Sequence, residues 1–463
     1  MLASCTKDIT RFNEQTKNPA TVPPETEFAN AVRNMTDGIA SPNVNTNVFR
    51  FTVQHWAATT YQDEPQYDFT TRAIPQAWWS RMYKDVLADL QDAKTHISAS
   101  TSLDAAVQKN QVAIVDLMQV YVYATLVNSF GDIPYSESLN SDNLFPKYDD
   151  AKTIYTDLFS RVDADIAAMS TAAAGFSSSS DFLYKGNVSK WIKFANSLKV
   201  RMGMTVADVD DAKAKAAVEA ADANAFSSAA DNASFQYSVT TPNCNPIWTD
   251  LIQSGRQDMV ACDTLIKKLQ ALSDPRLSKF FKPNDAGVYV GGQLGVNNTF
   301  SNVAKPSDMV SVANAPALVL DYVEMEFYRA EAKERGYNVA GTAEQHYNNA
   351  ITASILYWGG TAADATAYLA QPSVAYTTAA GNWKQKIGNQ KWIALYNRPV
   401  EGWTEVRRLD QPVLNAPVGA KSGFPNRFTY PGNEQQLNPA NYKAAAGAIG
   451  GDKVETKLFW DKY

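Results

Sequence analysis

The sequence predicts an all-α fold: a tetratricopeptide-like scaffold of helix pairs, carrying a large loop-rich irregular part and minor short β-strands. Three observations carry that expectation. From Ile114 to Val127 the chain is apolar on nearly every side of a helix, with only Asp116 and Gln119 strongly polar. Such a helix cannot lie on a surface, so other helices must surround it. Large apolar residues recur at helical spacing in three further stretches: Trp78, Met82, Val86 and Leu90; Ile154, Leu158, Val162 and Ile166; Trp191, Phe194, Leu198 and Met202. Finally, residues 321–336 and 342–358 place Ala330, Gly336, Ala343, Tyr347, Ala350 and Ile351 in the layout of a tetratricopeptide-type helical hairpin.

Taken in order, the chain opens on Leu2-Ala-Ser-Cys5, which matches a lipobox: small residues let a signal peptidase cut before a cysteine that receives lipid. Residues 1–24 are expected to be a lipobox remnant and flexible tether, because the segment after Cys5 is polar and contains Pro. A short helix is expected over Glu25–Met35, then a loop-rich, aromatic stretch over Asn43–Gln76. Helices follow at Ala77–Ile97, Thr101 to about Val127, Asp149–Met169, Asn187–Val206 and Asp210–Ala223. Thr101 with Asp104 fits a helix-start cap, whereas Gly131 and Pro134 stop the long helix. Residues 226–315 are rich in Gly, Asn, Pro and Ser and read as an insertion, with one helix (Asp258–Leu272) and short strands near Ser234–Val239 and Val288–Val290. Helices resume at Asp321–Gly336, Thr342–Trp358, Ala362–Gln371 and Asn382–Tyr396, and the tail from Pro412 is irregular. The domain expectation is one unit over 25–463: scaffold 25–225 and 316–410, insertion 226–315, tail 411–463.

Composition narrows the function. A net charge of −6, without a Lys/Arg run, argues against nucleic acid or an anionic membrane surface as partner. The three cysteines (Cys5, Cys244, Cys262) and three histidines are too scattered for a metal site, so no metal or cofactor is expected. Cys244 and Cys262 suit either a bridge or two buried thiols. No stretch approaches the roughly 20 consecutive apolar residues that would span a bilayer. No nucleophile elbow, phosphate-binding loop or dinucleotide fingerprint is present, and the acids at Asp149-Asp150 and Asp208–Asp211 precede helices, where they cap. The expectation is therefore a binding protein rather than an enzyme, with a glycan-active hydrolase or a helical-repeat protein scaffold as alternatives.

Twenty-two Tyr and ten Trp exceed what a core of this size requires, so some rings are available to a ligand. Sugar C–H faces stack on aromatic rings while hydroxyls need amide, carboxylate or guanidinium partners. The stretch before the second helix offers Trp56, Tyr61 and Tyr67 beside Asp63 and Arg72; the insertion offers Trp248 and Tyr289 beside Asn297 and Asn298. Trp56, Tyr61 and Trp248 lead these ligand candidates. An apolar peptide could use the same surface.

Several short stretches, in order along most of the chain, resemble one known family. They are Leu2-Ala-Ser-Cys5; Trp78-Trp79; Phe130-Gly-Asp-Ile-Pro-Tyr135; Lys190-Trp191 with Phe194-Ala-Asn-Ser-Leu-Lys199 and Arg201; Ala330-Glu-Ala332; Glu401-Gly-Trp403 with Glu405 and Arg407-Arg408; Phe424-Pro-Asn-Arg427 with Tyr430-Pro431 and Glu434; and Leu458-Phe-Trp460. The chain resembles the SusD/RagB family of outer-membrane nutrient-binding lipoproteins of Bacteroidetes-type bacteria, in particular the second SusD-like subgroup. That resemblance implies a tetratricopeptide-like fold and an outward-facing anchor in outer-membrane lipid through Cys5. It also implies a SusC-like TonB-dependent β-barrel transporter as partner, and an oligosaccharide or peptide ligand handed on without chemical change. The Gly-Asp-Ile-Pro and Arg407-Arg408 motifs are expected to be structural, as a fixed turn and buried ion pairing.

Overall fold

The computed structural model describes residues 22–463, so Cys5 and nearly all of the expected tether lie outside the described residues. Among the described residues the fold is mainly helical, with four two-stranded sheets and one isolated bridge, Cys262 to Gly292. The central helix runs Ala105–Phe130 and is buried from Asn110 almost continuously to its end. By length and composition it could cross a membrane, yet its apolar surface is enclosed by neighbouring helices. Its cap is Asp104, whose carboxylate accepts from the Ala106 and Val107 amides; Thr101 lies outside the helix and caps nothing. The reason is chemical: a carboxylate complements the helix dipole better than a hydroxyl three residues upstream.

Pro24–Ala40 packs on Ala88–Ala99, and helices adjacent in sequence pack on one another: the central helix on Ala88–Ala99 and on Ala151–Ala168, Val188–Thr205 on Asp211–Ala221, and Tyr322–Glu334 on Ala343–Tyr357. Six helix starts carry side-chain caps, from Asp150, Asn187, Asp210, Asp321, Thr342 and Asn382. Asp149 and Asp208 are different. Asp149 accepts from the Ser136 amide at 2.7 Å and pins the turn after the central helix, and Asp208 pairs with Arg335 and Lys384. That turn begins at Gly131, whose φ of +90° no side chain adopts without strain. It continues into a two-residue ladder, Ile133–Pro134 on Tyr148–Asp149.

Four expectations change. The stretch expected as one helix over Ala77–Ile97 starts at Ile74 and contains a π-helical segment, Arg81–Leu87. Val288–Val290 is not a strand, because a single bond from the Ala304 amide to the Val290 carbonyl does not make a ladder. The insertion's main helix begins at Asp263, because Met259–Ala261 is instead a strand paired antiparallel with Trp56–Ala58. The last helix before the tail, Pro399–Leu409, and two tail helices, Gly432–Leu437 and Pro439–Ala448, were not expected. Pro399–Leu409 hides from pattern reading because Glu401, Glu405, Arg407 and Arg408 are all buried.

Those charges form the centre of the scaffold. Arg408 bonds both Glu331 and Glu405, Lys391 bonds Glu405 at 2.8 Å, and Tyr328 donates to Glu405 at 2.9 Å. Beside them Glu324 takes Arg201 and Arg398 at 2.6 Å each. Burial alone would raise the Glu324 carboxyl, but Arg201 and Arg398 hold it down at about 2. Lys391 is drawn down to about 8 by burial, against the pull of Glu405. Arg407 breaks the expected pattern: it makes no ion pair but donates to the Asn128 and Asn426 carbonyls and lies 3.6 Å over the Trp403 ring. It therefore ties the tail to the end of the central helix. Arg427, Tyr430 and Trp460 do the same, bonding the Phe130 and Asp132 carbonyls and the Asn128 side chain. Cys244 and Cys262 are buried free thiols.

Candidate functional site

One feature joins the aromatic loop to the insertion. Trp56–Ala58 pairs with Met259–Ala261 in the register Trp56↔Ala261, Ala57↔Val260, Ala58↔Met259, and every residue of both strands is buried. The ladder is thus a fixed bar with loops at its two ends. Residues 292–298 run along it, the Gly292 amide bonding the Ala261 carbonyl and the Asn298 side chain bonding the Ala58 carbonyl at 2.8 Å.

At one end, the Thr59 amide and hydroxyl bond the Asp258 and Gln257 carbonyls, which sets Arg256 beside the turn carrying Tyr61. Tyr61 has φ +57° and its ring is 54% exposed. Gln54, Tyr67 and Ala73 also take positive φ, so four of the nine non-glycine residues in this region of backbone space fall within one twenty-residue loop. Such strain persists only where the surroundings impose it, and it concentrates at binding sites. The Arg72 guanidinium lies 4.8 Å from the Tyr61 ring centroid, covering one face. Arg72 in turn meets Glu64 at 3.2 Å and Asp63 at 3.5 Å. Glu64 is fully buried; burial raises its carboxyl, and Arg72 opposes that. Gln62 bridges to Asn297 at 3.2 Å. The result is an exposed ring beside a carboxylate, a guanidinium and two carboxamides.

At the other end of the ladder lies a polar cleft of about 430 Å³ between Gln54, Asp263, Thr264, Gln293 and the tail residues Asn415–Val418. Gln54 organises its floor: its amide donates to the Asn415 carbonyl at 2.6 Å and to the Tyr67 hydroxyl at 3.3 Å, and its carbonyl accepts from Thr264 at 2.6 Å. Leu294, Ala416 and Pro417 give the cleft an aliphatic wall.

The candidate residues therefore separate. Tyr61, Asp63 and Arg72 come together. Trp248 is half-buried on a short helix, Pro246–Trp248, whose π-helical extension ends near Arg256, and its ring is not within stacking distance of Tyr61. Tyr289 is half-buried at the far end of the Asp263–Ala271 helix, its carbonyl accepting from Gln270 at 2.9 Å. Trp56 and Tyr67 leave the candidate set. Trp56 is wholly buried, donating to the Tyr396 hydroxyl at 3.1 Å with Arg50 4.8 Å from its ring, and Tyr67 is 3% exposed against Phe424. A ring with no free face cannot stack on a sugar. Arg256, Asp258, Gln54 and the Asn415–Val418 loop were missed, since only the long-range ladder and the fold of the tail bring them here.

The buried carboxylates of the scaffold do not form a second candidate. Glu324, Glu401 and Glu405 surround an enclosed cavity of about 30 Å³, room for a water and not for a sugar ring. Among the described residues no group of three or more His, Cys, Asp or Glu side chains is placed to hold a metal ion.

Comparison with known proteins identifies the family and the fold. The profile of the second SusD-like group, described as starch-binding and associating with the outer membrane, matches residues 16–431. No curated protein sequence matches the chain. Among solved structures, a chitin-binding protein superposes with a TM-score of 0.83 at 26% identity, covering 95% of this chain and all of that one. A SusD homolog from Bacteroides uniformis gives 0.77 at 25% identity over 94% and 99% of the two chains. A chitin-binding SusD homolog from Flavobacterium johnsoniae gives 0.78 at 22% identity, over 94% and 98%, which speaks to the fold alone. With a profile match spanning nearly the whole described chain, the protein belongs to the SusD-like family.

Proposed function

We propose that this protein captures a glycan at the outer membrane, on the face around Tyr61, and delivers it unchanged to a SusC-like TonB-dependent β-barrel transporter. In this reading lipidated Cys5 anchors the chain at the cell surface, and residues 25–463 act as a single domain. The observation that carries the glycan assignment is Tyr61 itself: a ring held half out in solvent by a strained backbone, with Asp63 and Arg72 beside it. That arrangement suits a pyranose, whose C–H face stacks while its hydroxyls reach the flanking polar groups. The family description as starch-binding and the chitin-binding relative support the ligand class. Trp248 and the Gln54 cleft extend the surface along which a longer chain would lie, and Tyr289 is its most distant candidate contact.

Titration calorimetry against a panel of oligosaccharides and peptides tests this. The expected result is saturable binding of at least one oligosaccharide, weakened about tenfold by Tyr61→Ala, with no reducing ends released on long incubation. Release of reducing sugar would favour the hydrolase reading. Binding of peptides alone would replace the ligand class. For the partner, co-purification from outer membranes is expected to recover a β-barrel transporter; recovery of other proteins only would leave the scaffold reading in its place.

A further inference from the structure

The rim around Tyr61 carries two arginines, and the way each is held bears on ligand charge. Arg72 points Nε at Glu64 and Nη2 at Asp63, at 3.2 and 3.5 Å. Arg256 points Nε and Nη2 at the two oxygens of Asp258, the first at 3.1 Å. Asp258 thus occupies the Nε–Nη2 edge of Arg256, whereas the same edge of Arg72 faces two different carboxylates and makes one hydrogen bond, from Nη2 to Asp63. That edge is the fork a guanidinium uses to grip a carboxylate, sulfate or phosphate bidentately. What remains to Arg256 is Nη1, suited to a single bond with a hydroxyl. Asp250 adds a further carboxylate near Arg256, whose charge and that of Asp258 both act on it. The rim thus sets two cations against three carboxylates, Asp63, Asp250 and Asp258, with Glu64 buried behind Arg72.

A bound anion would have to displace an internal carboxylate from an arginine, or sit desolvated beside surplus negative charge. Both oppose binding, whereas a hydroxyl meets only acceptors and single donors. We propose that this face selects uncharged glycans and rejects uronic, sialic and sulfated ones, and that Asp258, on the Nε–Nη2 edge of Arg256, and Asp63, on Nη2 of Arg72, set the choice. The inference rests on the glycan-binding reading above and specifies the chemistry of that site.

The test compares neutral oligosaccharides (α-glucan, β-glucan and chitin oligomers) with oligogalacturonate and a sulfated oligosaccharide, by calorimetry at low and high ionic strength. The wild-type protein is expected to bind a neutral oligomer at least about tenfold more tightly than either anionic one, with little change as salt is raised. Asp258→Asn frees the Arg256 fork and is expected to improve oligogalacturonate binding about tenfold at low salt, an effect abolished at high salt. Asp63→Asn removes one carboxylate from the rim and frees Arg72 Nη2, which is expected to give the same sign and keeps the test decisive should Asp258→Asn not fold. Preference of the wild-type protein for an anionic glycan, or no gain by either variant, overturns the charge inference while leaving glycan binding intact. Binding of no glycan at all, or neutral binding indifferent to Tyr61→Ala, overturns the site itself and the inference with it.

Discussion

Arg408 in the scaffold and Arg72 on the loop face are both arginines beside a tyrosine and two carboxylates, and they are built for different ends. Arg408 is buried with Glu331, Glu405 and the Tyr328 ring, every charge met by another across packed helices. Arg72 sits on the Tyr61 ring with Glu64 buried on one side and Asp63 and the exposed ring on the other. The lesson is that residue type does not separate structure from function here; solvent access does. A paired charge sealed from water locks helices together. The same pair left at a rim keeps donors and acceptors available for a ligand, while contributing little to stability.

The largest expected effect breaks the scaffold side. Arg408→Ala leaves Glu331 and Glu405 buried without their cation and should cost about 3–5 kcal/mol of stability, read by chemical denaturation. A change below about 1 kcal/mol would show that the network is not sealed. The next pair sharpens the contrast between two rings only five positions apart. Trp56→Ala should lose about 3–5 kcal/mol of stability by opening a cavity. Tyr61→Ala should leave the unfolding midpoint nearly unchanged and weaken glycan binding by about 1–2 kcal/mol. Reversed outcomes would exchange their roles.

A pH titration sharpens the scaffold side, where Glu324 and Asp165 are both helical and buried. With its folded pKa held near 2 by Arg201 and Arg398, below the ordinary 4.5, Glu324 adds stability above about pH 4.5 that is lost as pH falls toward 2. Asp165 acts with the opposite sign. Burial first, and then the neighbouring Asp116 charge, raise it from 3.8 to about 9, and its Oδ2 is buried without a hydrogen-bond partner. Wild-type stability should therefore fall as pH rises from about 4 to 9, and Asp165→Asn should remove that decline. The gain is expected at pH 8 and absent near pH 3, measured by urea midpoints. No gain at pH 8 would mean that Asp165 is already ionised and paired.

Much of the scaffold was legible because its helices obey simple periodicity and carry their own caps, as Asp150, Asn187 and Thr342 do. Pro399–Leu409 was illegible for a physical reason: Glu401, Glu405 and Arg408 face inward, and a polar residue reads as exposed until its partner, distant in sequence, is known. The Gly-Asp-Ile-Pro turn was visible from Gly131 and Pro134. That Arg407 ties it to the tail, rather than forming an ion pair, was not. The loop face was legible in composition and not in detail. Trp56 and Tyr61 are alike in sequence, and their fates diverge because Met259–Ala261, some two hundred residues on, buries the first and leaves the turn beyond it bare. The positive φ of Tyr61 has no glycine or asparagine to announce it.

The central claim is that the exposed ring of Tyr61 is where a nutrient sugar rests. A crystal structure of the protein with a bound neutral oligosaccharide tests it most directly. The account predicts a pyranose ring stacked on the free face of Tyr61, with its hydroxyls bonded to Asp63 and Arg72 and the chain running toward Trp248 or the Gln54 cleft. An oligosaccharide seated elsewhere, with Tyr61 still in water, would contradict it.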